Sequence, residues 1–417
     1  MTVDLGTLGW DGLFARHVAG DSGDEITRIL SQAASTDAIA LSGGFPHPDT
    51  FPHEHLRDRT AHVLTDPLAL QYCPTAGLPG LRDWLAGWLG RHEGVRPADD
   101  ELIITSGGME GLGLITKSLL DPGDRAVVEG PTFFGALVGL NRALAEVDVV
   151  PTDDDGLDVD ALARLLATAR TAPKILYIIP EHQNPTGASL GVQRRHQLVE
   201  LARRYGLLIV EDVAYRDLGF DGERRPSLWA LAPDVVAQVG TFSKTFAPGF
   251  RMGWVAAPRR LVAQLVRAKQ NTDQCAGALG QLLLEDYGRS GGYDRGIAAA
   301  QRFYGARCTA MLDALARHLP AAARYTRPLG GFFSWVSLPA GVDTAALQQR
   351  AADAGVTYVP GSAFYPDARG ANALRLAFSR VDVDLIDEGV RRLSVVLAGA
   401  IEEATGEAAP LGVGPGG

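Results

Sequence analysis

The middle of the chain alternates short apolar runs with longer stretches of helical spacing. Glu101–Thr105 reads as a strand, Ser106-Gly107-Gly108 as a turn and Glu110–Leu120 as a helix. Asp121-Pro122-Gly123-Asp124 breaks that helix, and Arg125–Glu129 is a second strand. Further strands are predicted at Lys174–Ile179, Leu207–Glu211, Val235–Val239 and Met252–Ala256, with a helix over Gly191–Tyr205. Strands that alternate with helices in this way build a mostly parallel sheet with helices over its faces. The expectation is an α/β fold whose large domain spans residues 61–299. Residues 300–402 read as a smaller α+β domain: a helix over Ala300–His318, a strand over Phe332–Leu338, a helix over Thr344–Ala354, a strand over Leu374–Phe378 and a last helix from Asp384. Residues 1–60 form an N-terminal segment expected to pack with the small domain. Residues 403–417, rich in Pro and Gly, read as a disordered tail.

Composition adds exclusions. The chain has 417 residues, 46% apolar and 21% charged, which are globular proportions with ample core. A net charge of −10 and the lack of a basic patch argue against nucleic acid as a partner. Three widely spaced cysteines, Cys73, Cys275 and Cys308, argue against a disulfide framework and for a reducing compartment. No Cys/His cluster has metal-ligand spacing. Met1–Trp10 lacks the basic and apolar regions of a signal peptide, and no apolar run approaches the ~18 residues that span a bilayer. The expectation is a soluble cytoplasmic protein.

Among 39 lysines and arginines only four are lysine, and one of them, Lys244, lies in Thr241-Phe242-Ser243-Lys244-Thr245-Phe246-Ala247-Pro248-Gly249-Phe250-Arg251. An amine can do what a guanidinium cannot: lose its proton and condense with an aldehyde. Other features fall at predicted strand ends, where open α/β sheets bind ligands. The Ser106-Gly107-Gly108 turn before a helix offers backbone N–H groups to an anion. Gln183-Asn184-Pro185-Thr186-Gly187 is a turn that fixes an amide. Asp212 closes an apolar strand, with Tyr215 three residues on. An amine, a carboxylate that keeps a ring nitrogen protonated, an amide and phenol for a ring oxygen, and an arginine with backbone N–H groups for a phosphate are the parts that pyridoxal phosphate requires.

In Leu41-Ser42-Gly43-Gly44-Phe45-Pro46-His47-Pro48, Leu70-Gln71-Tyr72-Cys73-Pro74-Thr75-Ala76-Gly77, Gln183–Gly187, Ser243-Lys244 with Arg251, and Asn372–Phe378, the chain resembles the fold-type I pyridoxal-phosphate aminotransferases. It is most similar to their 2-aminoadipate and kynurenine aminotransferase branch. The resemblance covers residues 26–400. It implies that Lys244 is the Schiff-base lysine, that Asp212 pairs with the pyridine nitrogen, and that Asn184 and Tyr215 hold the ring oxygen. It further implies that Gly107, Gly108, Met109, Thr241, Ser243 and Arg251 bind the phosphate and that Phe133 stacks on the ring. Arg375 would fork onto the substrate α-carboxylate, with Asn184, Gly43, Gly44 and Thr27 lining the substrate pocket. Tyr72 would reach the phosphate of a neighbouring subunit, so a homodimer with shared sites is implied.

Three positions depart from the family's pattern. Phe133 stands where Tyr is common. His182 stands where an aromatic such as Phe is common, and reads as a packed or surface histidine rather than a catalytic one. Thr27 stands where relatives carry an Arg that can meet an acidic side chain, which argues against an acidic substrate. Arg28, one residue on, would point ~100° away around a helix. The function implied is transfer of an amino group between an L-amino acid and a 2-oxo acid, with 2-oxoglutarate as acceptor. The alternative is a cyclase, lyase or oxidase of specialised amino-acid metabolism on the same fold, because the cofactor's chemistry is shared up to the carbanion. A DNA-binding regulator with this domain behind a winged helix is disfavoured, since about 40 residues precede Leu41.

Overall fold

The computed structural model describes residues 13–18, 38–367, 369–407 and 409. After β1 (Ile39–Ala40) and the helices His53–Val63 and Pro79–Glu93 come β2 (Leu102–Thr105), the helix Gly108–Leu119, β3 (Arg125–Gly130), the helix Phe134–Arg142, β4 (Glu146–Asp153) and β5 (Gly156–Leu157). The helix Val159–Thr168 leads to β6 (Ile175–Ile178), the helix Val192–Tyr205 to β7 (Leu208–Asp212), and β8 (Val236–Thr241) and β9 (Gly253–Ala256) follow. Helices Arg259–Gln270, Ala278–Arg289 and Gly292–His318 precede β10 (Arg324–Tyr325), β11 (Phe333–Ser337), β12 (Val356–Thr357), β13 (Val359–Pro360) and β14 (Ala373–Ala377), and the helix Val383–Thr405 ends the fold.

Eight strands form one sheet in the order β2-β9-β8-β7-β6-β3-β4-β5. The run β8-β7-β6-β3-β4 is parallel throughout. β9 is antiparallel to both its neighbours, β2 and β8. The mostly parallel α/β sheet read from the pattern is therefore present. Helices cover both faces, and this explains the unbroken apolar runs. Leu176, Ile178 and Ile209 enter the core on one face, while Ile175, Tyr177 and Val210 enter that on the other. A second, four-stranded antiparallel sheet, β10-β11-β14-β13, packs with the helices Gly292–His318 and Val383–Thr405 around its own core. The N-terminal chain joins this second unit: β1 pairs in parallel with β12, and Leu41 O accepts a hydrogen bond from Ala377 N at 2.7 Å.

Several element bounds differ from the sequence reading. The expected helix over 344–354 is only Gln348–Asp353. Thr344 is instead tied to the strand side, its hydroxyl donating to Ala371 O and Ala373 O. The helix expected from Ala300 begins at Gly292, after Gly291 in the left-handed region at φ 71°. β4 and the helices before residue 100 were not read from the pattern. The last helix continues to Thr405, into the stretch read as tail, whose residues 408 and 410–417 lie outside the described residues. Residues 1–12 and 19–37 of the N-terminal segment, Thr27 and Arg28 included, also lie outside them.

Candidate active site

The C-terminal ends of the parallel strands converge on a cavity of about 680 Å³. Gly44, Gly108, Met109, Phe133, Asn184, Asp212, Tyr215, Thr241, Ser243, Lys244, Arg251 and Arg375 all line it. These residues span more than three hundred positions of sequence, and the sheet topology brings them together. β7 ends at Asp212, β8 at Thr241 just before Ser243-Lys244, and β6 runs into the loop that carries Asn184. That loop is locked by Gln183. Its side-chain oxygen accepts from Thr186 N at 2.9 Å and Thr186 Oγ1 at 2.7 Å, and its Nε2 donates to Pro131 O at 2.7 Å.

Lys244 Nζ donates to Gly44 O at 3.2 Å and lies 5.7 Å from the centre of the Phe332 ring. Burial, and then the charges of Arg375 and Arg251, lower its pKa to about 8. The amine is thus far easier to deprotonate than an ordinary lysine. Asp212 has the opposite problem. Burial raises its pKa, and hydrogen bonds to Oδ2 from Tyr177 OH at 2.8 Å and to Oδ1 from Ala214 N at 3.0 Å offset part of that rise. Tyr215 is buried edge-on against Phe332 and Phe333, and burial raises its phenol pKa.

Arg375 stands on β14, wholly buried, and burial lowers its pKa to about 10. Its Nη1 donates to Asn184 Oδ1 and its Nη2 to Ser42 O, each at 2.9 Å, and its guanidinium sits 4.3 Å from the centre of the Phe333 ring. Among the described residues the buried Nε has no hydrogen-bond partner. An arginine desolvated this fully, on an aromatic face, has donor capacity held ready for an anion. At the other end of the cavity, Arg251 Nη1 donates to Ser243 Oγ at 3.2 Å, and Thr241 Oγ1 donates to Ser243 Oγ at 3.0 Å. Gly107 lies behind them at φ 96°, where a Cβ would come within 2.4 Å of Arg251 Nη2. Only glycine permits this close approach in that conformation.

The remaining sequence candidates fall elsewhere. Gly43 is buried beside the site but does not line the cavity, and Tyr72 is 72% exposed on the surface. Thr27 is not among the described residues. His182 is buried at φ 48°, away from the cavity and packed against Gly330 and Gly331, and burial lowers its pKa to about 4. Of the two readings left open by the sequence, packed or surface, it is the packed one. Three residues were missed: Ser42, whose carbonyl holds Arg375; Phe333, whose ring carries it; and Tyr177, which bonds Asp212. The last left one sequence signal, a lone phenol inside the apolar run Ile175–Ile179.

A partly buried amine of lowered pKa, an acid and an anion-ready arginine lining one cavity suit the exchange of an amino group with a carbonyl on a small acid. Residues 36–393 match the model of the aminotransferase class I and II family, and the chain belongs to it. It is 37% identical over 398 residues to aromatic-amino-acid aminotransferase 1 of Thermococcus litoralis, covering 94% of this chain and 95% of that one. It is 36% identical to the 2-aminoadipate transaminase of Thermus thermophilus, covering 94% and 98%. The structure of Pyrococcus horikoshii kynurenine aminotransferase, solved with PMP, superposes with a TM-score of 0.90 at 37% identity, over 93% of this chain and 98% of that one. The protein is an aminotransferase of fold type I, and membership implies pyridoxal 5′-phosphate as cofactor. Among the described residues, no helix is long and apolar enough to cross a membrane.

Proposed function

We propose that the chain binds pyridoxal 5′-phosphate through Lys244 and transfers the amino group of an L-amino acid with an apolar or aromatic side chain to 2-oxoglutarate. The observation that carries this reading is the partly buried amine of Lys244, its pKa lowered to about 8, in one cavity with Asp212, Asn184, Arg251 and Arg375. The cofactor fits the residues present. Arg251, Thr241, Ser243 and the backbone N–H groups at Gly107, Gly108 and Met109 would hold its phosphate, Asn184 and Tyr215 its ring oxygen, and Asp212 its ring nitrogen, with Phe133 against its face. Pyridoxal phosphate, when bound, supplies an aldehyde for the amino group and a ring that withdraws electrons from Cα.

The protein's own part is proton handling and orientation. Lys244, as the free amine, takes the proton from the substrate Cα, and a pKa near neutral suits that exchange. Asp212, whose ionised form is favoured by the hydrogen bonds from Tyr177 and the Ala214 N–H, would keep the ring nitrogen protonated. Arg375 forks onto the α-carboxylate and fixes Cα near Lys244. The walls left for a side chain are Pro46, Met109, Leu112, Phe134 and Ile179. These apolar walls support a donor with an apolar or aromatic side chain. We also read the chain as a cytoplasmic homodimer in which the exposed Tyr72 reaches the partner's phosphate. The test is incubation with a panel of amino acids and 2-oxoglutarate. Glutamate formation, fastest with aromatic or branched donors, is expected. Ammonia, peroxide or a cyclic product without glutamate would reject transfer.

A further inference from the structure

Lys244 is one of four lysines, and a second is as unusual in its setting. Lys269, on the helix Arg259–Gln270, is fully buried. Its Nζ lies 2.7 Å from Glu110 Oε2 and 2.7 Å from both carboxylate oxygens of Asp273. The oxygens it grips are those that hold Ser106. Ser106 N donates to Glu110 Oε2 at 2.6 Å, and Ser106 Oγ donates to Asp273 Oδ2 at 2.6 Å. Ser106 opens the turn that continues through Gly107, at φ 96°, into the helix starting at Gly108. On the other side, Thr105 Oγ1 donates to Gly107 O at 3.0 Å, so the turn is fixed from two directions.

Two carboxylates this close to an anion site are a hazard unless their charge is offset. They also need a fixed geometry if Ser106 is to be held by both. One ammonium fixes both and offsets one of the two charges. We propose that Lys269 is a positioning residue for the phosphate cradle: through Glu110 and Asp273 it locks Ser106, so that the N–H groups at Gly108 and Met109 face the phosphate, and it offsets part of the acid charge that would repel it. This rests on the reading of Arg251 and the Ser106–Met109 turn as the phosphate site.

The experiment measures binding of pyridoxamine 5′-phosphate and of pyridoxamine, which lacks the phosphate, to the full chain freed of cofactor, by titration calorimetry. Wild type is expected to prefer the phosphorylated ligand strongly. If it has no such preference, the phosphate site itself is misread. Given that preference, Lys269→Met should weaken pyridoxamine 5′-phosphate by about 10-fold or more while leaving pyridoxamine unchanged. Ser106→Ala, which leaves every Lys269 ion pair in place, should reduce the same preference to a smaller degree, and it decides the matter alone if Lys269→Met does not fold. An unchanged preference in the variants that fold, or equal weakening of both ligands, would overturn the role and leave Lys269 as a helix-packing ion pair.

Discussion

Tyr177→Phe removes one oxygen and leaves the ring that packs in the core under β6 and β7. What is lost is the hydrogen bond at 2.8 Å to Asp212 Oδ2. A hydrogen bond to a charged partner contributes about 1.5–3 kcal/mol. Tyr177 lies in the core, so phenylalanine there leaves Asp212 Oδ2 without that donor. The loss falls on the ionised form of Asp212, the form that would pair with a protonated ring nitrogen in the proposed function. At about 1.4 kcal/mol per factor of ten, kcat/KM should fall by about 10- to 100-fold. The sign of the pH effect follows from the same bond. Burial raises Asp212 and the Tyr177 hydroxyl lowers it. Without that hydroxyl the carboxyl ionises only at higher pH, so the acid limb of the kcat/KM profile should move upward. The assay is steady-state transamination across pH on the purified variant, with thermal melting of the same preparations to show that the fold is intact. A variant within a factor of about two of wild type, with an unmoved acid limb, would refute the role given to Asp212 and its partner.

Other consequences are as direct. Arg375→Lys keeps a charge but loses the fork that bonds Asn184 Oδ1 and Ser42 O, so KM for the amino acid should rise by about 10- to 100-fold, read from initial rates against donor concentration. Gly107→Ala places a Cβ 2.4 Å from Arg251 Nη2, and the backbone at φ 96°, ψ 166°, a region essentially confined to glycine, alone costs about 1–3 kcal/mol, so cofactor affinity should fall about 10-fold or more in a spectroscopic titration. Because the Lys244 pKa is lowered to about 8, the fraction of free amine rises with pH through that value. The rate at which the apoprotein captures pyridoxal phosphate should therefore level off above about 8 rather than climb on toward the ordinary lysine range.

The parallel strands were legible because both their faces are buried. Leu176, Ile178, Ile209 and Val210 leave no polar gap to obscure the run. β4 was not legible. Asp148, Pro151 and Asp153 interrupt it, and it sits near the sheet edge with most of its residues partly or fully exposed. The start of the helix Gly292–His318 was hidden by Gly291, Gly292 and Gly296, residues that ordinarily mark turns. Three residues singled out on local sequence, Lys244 between hydroxyls, Asp212 closing its strand and Asn184 in its turn, all line the cavity. Residues whose role depends on a distant partner could not be picked out in this way. Ser42 meets Arg375 across 333 positions and Lys269 meets Glu110 across 159, and no spacing rule connects either pair.

The most direct test of the whole account is covalent. The protein is saturated with pyridoxal phosphate, reduced with borohydride, digested, and its peptides mapped by mass. The account predicts one stable pyridoxyl adduct, on Lys244. An adduct on Lys117, Lys174 or Lys269 instead, or none on any lysine, would contradict it.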